Sequence, residues 1–432
     1  MYRVTQLQNG LTVATAEMPQ MVSVSVGLWV GVGSRYEPTP LNGVCHFIEH
    51  LLFKGTKKRS AKEISEAVEG IGGYLNAFTS EEVTCFHARA GHERFDELLD
   101  VLLDMLLESK FTPADIAKER EVIKEEIAMG LDEPQHHVQE LLNAMLWPGQ
   151  PLGRPITGTG KTLDAMTRGR LLGYLRENYV AGNVLIVAAG RLKHRQVLRA
   201  VARYASHFPN TARPRFAPAR SNQQRPRVRL LTKQTEQTQV ALGIRTCSRQ
   251  DERRYALRLL NTILGENMSS RLFQVVREDH GLAYSIYSTP SFFSDAGDLV
   301  ISAGLDTDNL TKVLGLVLRE LRRLREAAPS AAELRRARDY VIGQIDLSLE
   351  STENQMNWLG EQLLGYGRVM QPRQIKRRLR EVTVGEIYAV ARDFLRPERF
   401  NLALVSPLAS DRTVAKILDA NAESLKRMQN GE

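Results

Sequence analysis

Residues 12–32 read TVATAEMPQMVSVSVGLWVGV, and residues 43–53 read GVCHFIEHLLF. The first stretch alternates apolar and small polar residues and is rich in valine, which predicts β-strands. The second stretch is apolar on most sides, which predicts a buried helix. Strands followed at once by a buried helix indicate an α+β unit in which the helix packs on the sheet.

The same order of elements occurs twice along the chain. Thr112-Pro113-Ala114-Asp115 has the form of an N-cap with proline at the first helical position, and Pro329-Ser330-Ala331-Ala332-Glu333 opens a helix in much the same way, at an offset of 218 residues. An offset of about half the chain indicates an internal duplication. The proline-rich stretch between the halves has no periodicity and predicts a linker. We therefore predict an N-terminal domain (1–209), a linker (210–229) and a homologous C-terminal domain (230–432).

The composition is that of a folded protein with more than one domain. The chain has 432 residues, of which 43% are hydrophobic and 25% are charged, a balance that excludes disordered, collagen-like and coiled-coil proteins. No apolar run is long enough to cross a bilayer. The first residues lack the pattern of a secretory signal, and three cysteines suit a reducing compartment. We therefore expect a cytoplasmic protein without membrane insertion.

The net charge leaves a second class of function open. The formal net charge is +8, and a basic protein can bind nucleic acid or an acidic membrane surface. Many basic residues, however, follow helical patterns such as RELRRLR at 319–325, which is typical of solvated helix faces. Because no zinc-finger or RNA-binding signature accompanies them, we expect no nucleic-acid partner.

His46-Phe47-Ile48-Glu49-His50 is an H-x-x-E-H motif. Two histidines four residues apart on a helix project from one face and can bind the same metal ion. Neutral imidazoles suit Zn²⁺, and a carboxylate can complete three protein ligands while a fourth position stays open for water. A carboxylate beside the metal can then take a proton from that water.

The helix that starts after Thr112 offers candidates for the third ligand. Glu119 and Glu126 are two helical turns apart and share a face with buried isoleucines. Glu121 and Glu125 are expected on a charged outer face. The helical pattern alone does not rank Glu119 against Glu126.

These motifs resemble the inverzincin zinc metallopeptidases, which include pitrilysin, insulin-degrading enzyme and the mitochondrial processing peptidase. The resemblance is closest to the processing-peptidase-like branch and is carried by 46–56 (HFIEHLLFKGT), 72–79 (GGYLNAFT) and 119–126 (EREVIKEE). It implies two homologous α/β-sandwich domains, each with a mixed, mostly antiparallel sheet and helices, that face each other around a central chamber. It also implies a zinc-dependent endopeptidase that hydrolyses peptides or unfolded, presequence-like segments enclosed between the two domains.

The resemblance also implies a role for individual residues in the N-terminal, metal-binding domain. One Zn²⁺ per chain would be bound by His46, His50 and Glu126. Glu49 would be the catalytic base, and Glu119 a supporting acid. The implied substrate-binding residues are Asn76 and Ala77 in an edge strand, and Arg277 and Tyr284 in the second half, which would reach the substrate and the tetrahedral intermediate.

The second half is implied to be metal-free, since the offset of 218 places Ala337 opposite Glu119 and Gln344 opposite Glu126. Some members of the family have lost catalysis and serve as structural subunits, so the alternative is a catalytically silent or partner-dependent subunit. The metal motif occurs here together with Arg277 and Tyr284. That combination favours a homodimer of active chains over a heterodimer, with peptides as substrates.

Overall fold

The computed structural model describes residues 2–430, which form two compact units. The first unit comprises Met1–Ala128, Arg154–Ala217 and Asp346–Val369, and the second comprises Met129–Gly153, Pro218–Ile345 and Met370–Glu432. Each unit combines one mixed sheet with packed helices. This architecture confirms the predicted α+β class.

The strands and helices within the described residues have the following bounds. The strands are β1 (Tyr2–Gln6), β2 (Thr12–Glu17), β3 (Ser23–Val30), β4 (Tyr74–Thr79), β5 (Thr84–Gly91), β6 (Val184–Gly190), β7 (Arg227–Thr232), β8 (Thr238–Thr246), β9 (Ala283–Phe292), β10 (Gly297–Leu305) and β11 (Asn401–Ser406). The helices are α1 (Val44–Leu52), α2 (Ala61–Glu69), α3 (Phe95–Glu108), α4 (Pro113–Asp132), α5 (Pro134–Leu146), α6 (Gly160–Asp164), α7 (Arg168–Asn178), α8 (His194–Ala202), α9 (Arg254–Asn261), α10 (Leu310–Glu326), α11 (Ala331–Ser348), α12 (Thr352–Tyr366), α13 (Pro372–Glu381), α14 (Val384–Phe394) and α15 (Arg412–Asn430).

The two sheets repeat one strand order. The first runs β1–β2–β6–β3–β5–β4, and the second runs β7–β11–β8–β10–β9. Without β1 the orders correspond strand for strand, and in each sheet one pair of neighbours (β2–β6 and β7–β11) is parallel while the others are antiparallel. Helices α4 and α11 begin at Pro113 and Ala331, which matches the offset of 218 residues. The structure therefore supports the predicted duplication of a mostly antiparallel unit.

The unit boundaries differ from a simple division of the chain into 1–209 and 230–432. Helix α5 packs on β8 and β11 in the second unit, and α12 packs on β3 and β6 in the first. Each helix buries an apolar face on the sheet it covers. That burial decides the unit to which the helix belongs. In the predicted linker (210–229), β7 already begins at Arg227, and the division between the units falls after Ala217.

Helix α12 packs closely against Trp29 of β3. The indole N–H of Trp29 donates to Sδ of Met356 at 3.2 Å. A Cβ at Gly360 would lie 2.3 Å from the Trp29 ring, so glycine permits the close approach of helix and strand. The opposite face of the sheet carries the larger core, into which α1 and α3 pack. This core fixes the helix that bears the H-x-x-E-H motif.

Candidate metal centre

Helix α1 begins at a glycine and is buried along most of its length. Gly43 adopts φ = 92°, in the left-handed region, and a Cβ there would lie 2.6 Å from the carbonyl oxygen of Thr157. His46 and His50 project from one side of the helix, and their ring centroids are 4.6 Å apart. The structure therefore pairs the two imidazoles as the spacing predicts.

Helix α4 brings a carboxylate to this pair. Oε1 of Glu126 lies 3.7 Å from Nε2 of His46, and Oε2 lies 3.6 Å from Nε2 of His50. One ligand atom from each of the three side chains lies within 4.8 Å of the other two. Among the side chains that the structure describes, in residues 2–423, this is the one cluster of three that could hold a metal ion.

The donor atoms fit a zinc ion. Two ligands that each bind zinc at about 2.1 Å in tetrahedral geometry are about 3.4 Å apart, close to the observed nitrogen–oxygen separations of 3.6 and 3.7 Å. Those separations are too long for good hydrogen bonds. Two imidazole nitrogens and one carboxylate oxygen are also a set that zinc accepts in catalytic sites. His46, His50 and Glu126 can therefore hold the ion together.

The surroundings shift the pKa values of the two histidines in opposite directions. Burial lowers the pKa of His46 to about 4, although the Glu126 carboxylate opposes the shift. Burial also acts to lower the pKa of His50, but the nearby carboxylates of Glu126 and Glu119 outweigh it and leave that pKa above its usual value. At neutral pH His46 is therefore a neutral imidazole, the form that binds metal.

Glu119 lies on the far side of His50 from Glu126. Its side chain is 1% exposed, and Oε2 is 3.2 Å from Nδ1 of His50. Its Oε1 is 2.9 Å from Nζ of Lys54. A carboxylate at Nδ1 fixes the tautomer in which Nε2 is free to bind metal. The structure thus separates the two acids that the helical pattern could not rank, with Glu126 at the Nε2 atoms and Glu119 behind His50.

The other two glutamates of α4 lie outside this cluster. Glu121 is exposed, and Lys124 donates to it at 3.1 Å. Glu125 is exposed as well. Both therefore lie on the charged outer face that the sequence predicts.

Glu49 lies between the histidines in sequence and contacts the sheet. The hydroxyl of Thr79 donates to Oε2 of Glu49 at 2.5 Å. Burial raises the pKa of Glu49, and the hydrogen bond from Thr79 opposes this in part. A carboxylate with a raised pKa, held beside the candidate metal ligands, is suited to proton transfer.

Strand β4, which supplies Thr79, is the last strand of the first sheet and pairs with β5 on one side. The backbone N–H of Ala77 donates to Oδ1 of Asn76 at 2.8 Å, and the Asn76 amide donates to the hydroxyl of Tyr74 at 2.5 Å. Asn76 and Ala77 therefore lie on an edge strand that contacts α1, and their contact with substrate stays a prediction.

Arg277 and Tyr284 lie together in the second unit. The guanidinium of Arg277 is 5.4 Å from the centre of the Tyr284 ring and 4.9 Å from that of Phe273. Tyr284 is 77% exposed. The structure pairs these two residues with each other, and their contact with substrate stays a prediction.

Two residues near the cluster were not assigned a role from sequence. Lys54 pairs with the buried Glu119, and its position four residues after His50 is the signal that could have found it. Glu37 accepts hydrogen bonds from the start of α1, and no local pattern marks it.

Family comparisons agree with the geometry. The model described as "Insulinase (Peptidase family M16)" matches residues 12–160, and the model described as "Peptidase M16 inactive domain" matches residues 165–341. An uncharacterized zinc protease of Streptomyces coelicolor is 39% identical over 97% of this chain and 92% of its own length. The uncharacterized zinc protease YmxG of Bacillus subtilis is 36% identical over 93% of this chain and 97% of its own length.

The chain belongs to peptidase family M16. Solved structures share the fold of this M16 protein: a protease from Helicobacter pylori has a TM-score of 0.87 at 20% identity and covers 94% of this chain and all of its own. The Pseudomonas fluorescens structure titled peptidase M16 inactive domain also has a TM-score of 0.87, at 19% identity, over 95% of this chain and 99% of its own. The names of the sequence relatives associate this family with zinc and proteolysis. Within residues 2–430 of the M16 chain, no helix combines the length and apolar composition that a bilayer span requires.

Proposed function

We propose that this chain is a zinc-dependent endopeptidase that holds one Zn²⁺ ion and hydrolyses peptides or unfolded, presequence-like segments. The observation that carries the proposal is the convergence of His46, His50 and Glu126 within 4.8 Å, with Glu49 on the same helix as the two histidines. Family membership and the names of the relatives support the same reaction class.

Each residue of the site has a distinct part in the proposed reaction. A bound zinc ion would supply Lewis acidity to the scissile carbonyl and lower the pKa of a water molecule. Glu49 takes the proton from the attacking water and returns it to the leaving amine. The raised pKa of Glu49 strengthens it as the base in the first transfer. Thr79 holds this carboxylate in place, and Glu119 with Lys54 orients His50.

The proposed peptide lies along β4. A peptide that adds as a further strand is held by backbone hydrogen bonds, so many sequences can bind. Asn76 and Ala77 lie at the middle of this edge, near the Thr79 hydroxyl that contacts Glu49. An extended chain is required for this mode, which favours peptides and unfolded segments over folded proteins.

The proposal also assigns a role to two residues of the second unit. Arg277 and Tyr284 would donate to the developing oxyanion, since a cation and a phenol suit that role.

We also propose an active homodimer, in preference to a heterodimer. The cytoplasm is the proposed compartment because Cys45, Cys85 and Cys247 are buried free thiols.

The substitution Glu49→Gln tests the assigned base. Gln keeps the size of the side chain and cannot take a proton, so turnover of a mixed peptide library should fall by about 100-fold or more. Zinc content should be unchanged, because Glu49 lies outside the ligand set. Zinc is measured by mass spectrometry and cleavage on the same preparation.

Glu125→Gln is the matched control, since Glu125 is an exposed glutamate next to Glu126 on α4. This control should cleave the library at the wild-type rate. Unchanged turnover in Glu49→Gln would reject the assigned base. A wild-type chain that binds zinc and cleaves nothing in the library would instead favour the catalytically silent subunit.

A further inference from the structure

Glu37 is a buried carboxylate in the loop before α1 that contacts the first turn of that helix. It is not one of the three candidate metal ligands. It is 3% exposed and accepts three N–H groups. Its Oε2 accepts from the backbone N–H of Gly43 at 2.7 Å and from the side-chain amide of Asn42 at 3.0 Å. Its Oε1 accepts from the backbone N–H of Cys45 at 2.9 Å. The two backbone donors belong to the set that the start of a helix leaves without an intrahelical partner.

Helix α1 has no cap within its own N-terminal residues. Gly43 occupies the N-cap position, and no side chain at that position accepts a hydrogen bond from the first turn. Glu37, six residues earlier, supplies the acceptors instead. A negative charge at this end of the helix also interacts favourably with the helix dipole.

The loop that carries the cap is itself anchored. The amide of Asn42 donates to the carbonyl oxygen of Pro155 at 2.9 Å as well as to Glu37. Arg154 donates to the backbone carbonyl of Glu37 at 2.9 Å. The cap is therefore hydrogen-bonded to a neighbouring segment of the first unit as well as to α1.

We infer that Glu37 is a positioning residue that fixes the first turn of α1 and thereby sets the place of His46. Cys45, whose N–H it accepts, precedes His46 directly, so any shift of this turn moves the first imidazole. The other imidazole is held from behind by Glu119. The helix is thus secured at both ends of its metal-binding face. The effect on turnover rests on the proposed function, whereas the effect on metal affinity does not.

The contacts require a carboxylate in particular. All three groups that face Glu37 are donors, and a carboxylate accepts through both oxygens. The substitution Glu37→Gln changes the size little but turns an NH₂ group toward at least one of these donors. A buried donor then loses its partner.

Glu320→Gln provides a matched control. Glu320 is also a buried glutamate, 2% exposed, and Arg323 donates to it at 2.8 Å. It lies in the second unit, whereas His46, His50 and Glu126 all lie in the first. The control therefore makes the same chemical change in a buried site without acting on the first turn of α1.

The experiment measures metal affinity and local opening in the full-length chain. Zinc affinity is obtained by competition with a chromophoric chelator, and hydrogen exchange of residues 43–50 is followed by mass spectrometry on the metal-free protein. Glu37→Gln should bind zinc about 10-fold more weakly or worse, by analogy with other residues that orient metal ligands, and should exchange faster at α1. Glu320→Gln should match the wild type in both measurements. Equal results for the two variants, or wild-type behaviour of Glu37→Gln, would overturn the inference.

Asn42→Ala keeps the inference testable if Glu37→Gln does not fold. This variant removes one of the three donors and leaves both backbone contacts in place, so the same two changes should appear with smaller size. Wild-type zinc affinity and exchange in Asn42→Ala would then overturn the inference. A wild-type chain that binds zinc without cleaving any peptide would reject the proposed function alone, because neither readout depends on catalysis.

Discussion

Helix α1 in the first unit and helix α9 in the second follow corresponding strands, but the polar side chains around them are arranged differently. In the first unit, α1 directs two imidazoles toward Glu126, and the buried Nδ1 of His46 has no hydrogen-bond partner among the described residues. In the second unit, α9 and the π-helical segment after it enclose the carboxylate of Glu266, which Arg258 contacts at 2.5 Å and Thr262 at 2.6 Å. A carboxylate satisfied by its neighbours stabilises the fold, whereas nitrogen and oxygen atoms directed at one point are available to bind a ligand.

The helices α4 and α11 show the same contrast. They begin 218 residues apart, yet the position of Glu119 corresponds to Ala337, which is 4% exposed, and that of Glu126 corresponds to Gln344. The backbone of the helix is repeated without the acids. In the proposed site, metal binding therefore depends on a few side chains placed on a scaffold that both units share.

The largest expected effect comes from exchanging these acids. Glu126→Gln removes the carboxylate ligand, so zinc should fall from about one ion per chain to a trace after dialysis. Gln344→Glu makes the reverse change in the second unit and should leave zinc content as it is in the wild type. Elemental analysis measures both. Full zinc content in Glu126→Gln would show that the histidines bind the ion without α4.

A smaller effect on zinc binding is expected from Glu119, which contacts the ligand His50. Glu119→Gln weakens the interaction that orients His50, and zinc affinity should fall about 10–100-fold. Chelator competition measures the change. Glu121→Gln, at an exposed position of the same helix, should bind zinc as tightly as the wild type. If both variants bound zinc equally well, Glu119 would have no part in holding His50.

The smallest expected effect lies in the second unit and depends on pH. Burial alone would raise the pKa of Glu333, but hydrogen bonds from Arg271 and Ser330 lower it to about 2. Because this pKa is below that of the unfolded chain, the stabilisation is present above pH 4.5 and is lost as the pH falls toward 2.

Glu333→Gln should therefore reduce the free energy of unfolding by about 1 kcal/mol at neutral pH, since partial exposure screens the pair. It should also flatten the decline in stability between pH 5 and pH 3. Urea titrations across this range measure both quantities, and zinc content should stay at the wild-type level. Parallel pH profiles for the variant and the wild type would remove Glu333 from the acid response.

Local patterns predicted much of this contrast. The spacing of His46 and His50 defines a shared helix face, and the repeated helix starts revealed the duplication because both signals lie within a few residues of sequence. The choice of Glu126 over Glu119 came from family resemblance, since two acids on one face look alike until their partners are known. The structure distinguishes them by their contacts with different nitrogens of His50.

Long-range packing could not be predicted in the same way. The apolar faces of α5 and α12 predict burial, but an apolar stripe does not say which sheet will cover it. The contact of Glu37 with the start of α1 could not be predicted either. The usual capping signals lie at the N-cap and three residues later, whereas Glu37 lies six residues before Gly43. Such contacts arise from the path of a loop, which short sequence windows do not describe.

The hydrogen bond between Asn76 and the N–H of Ala77 has a consequence for solubility. An open strand edge is a template on which other molecules can pair and aggregate. An amide that occupies one of its donors raises the cost of such self-association, and any guest strand must first displace it. A single asparagine side chain thus covers part of this edge, and a strand that pairs there would have to replace its hydrogen bond.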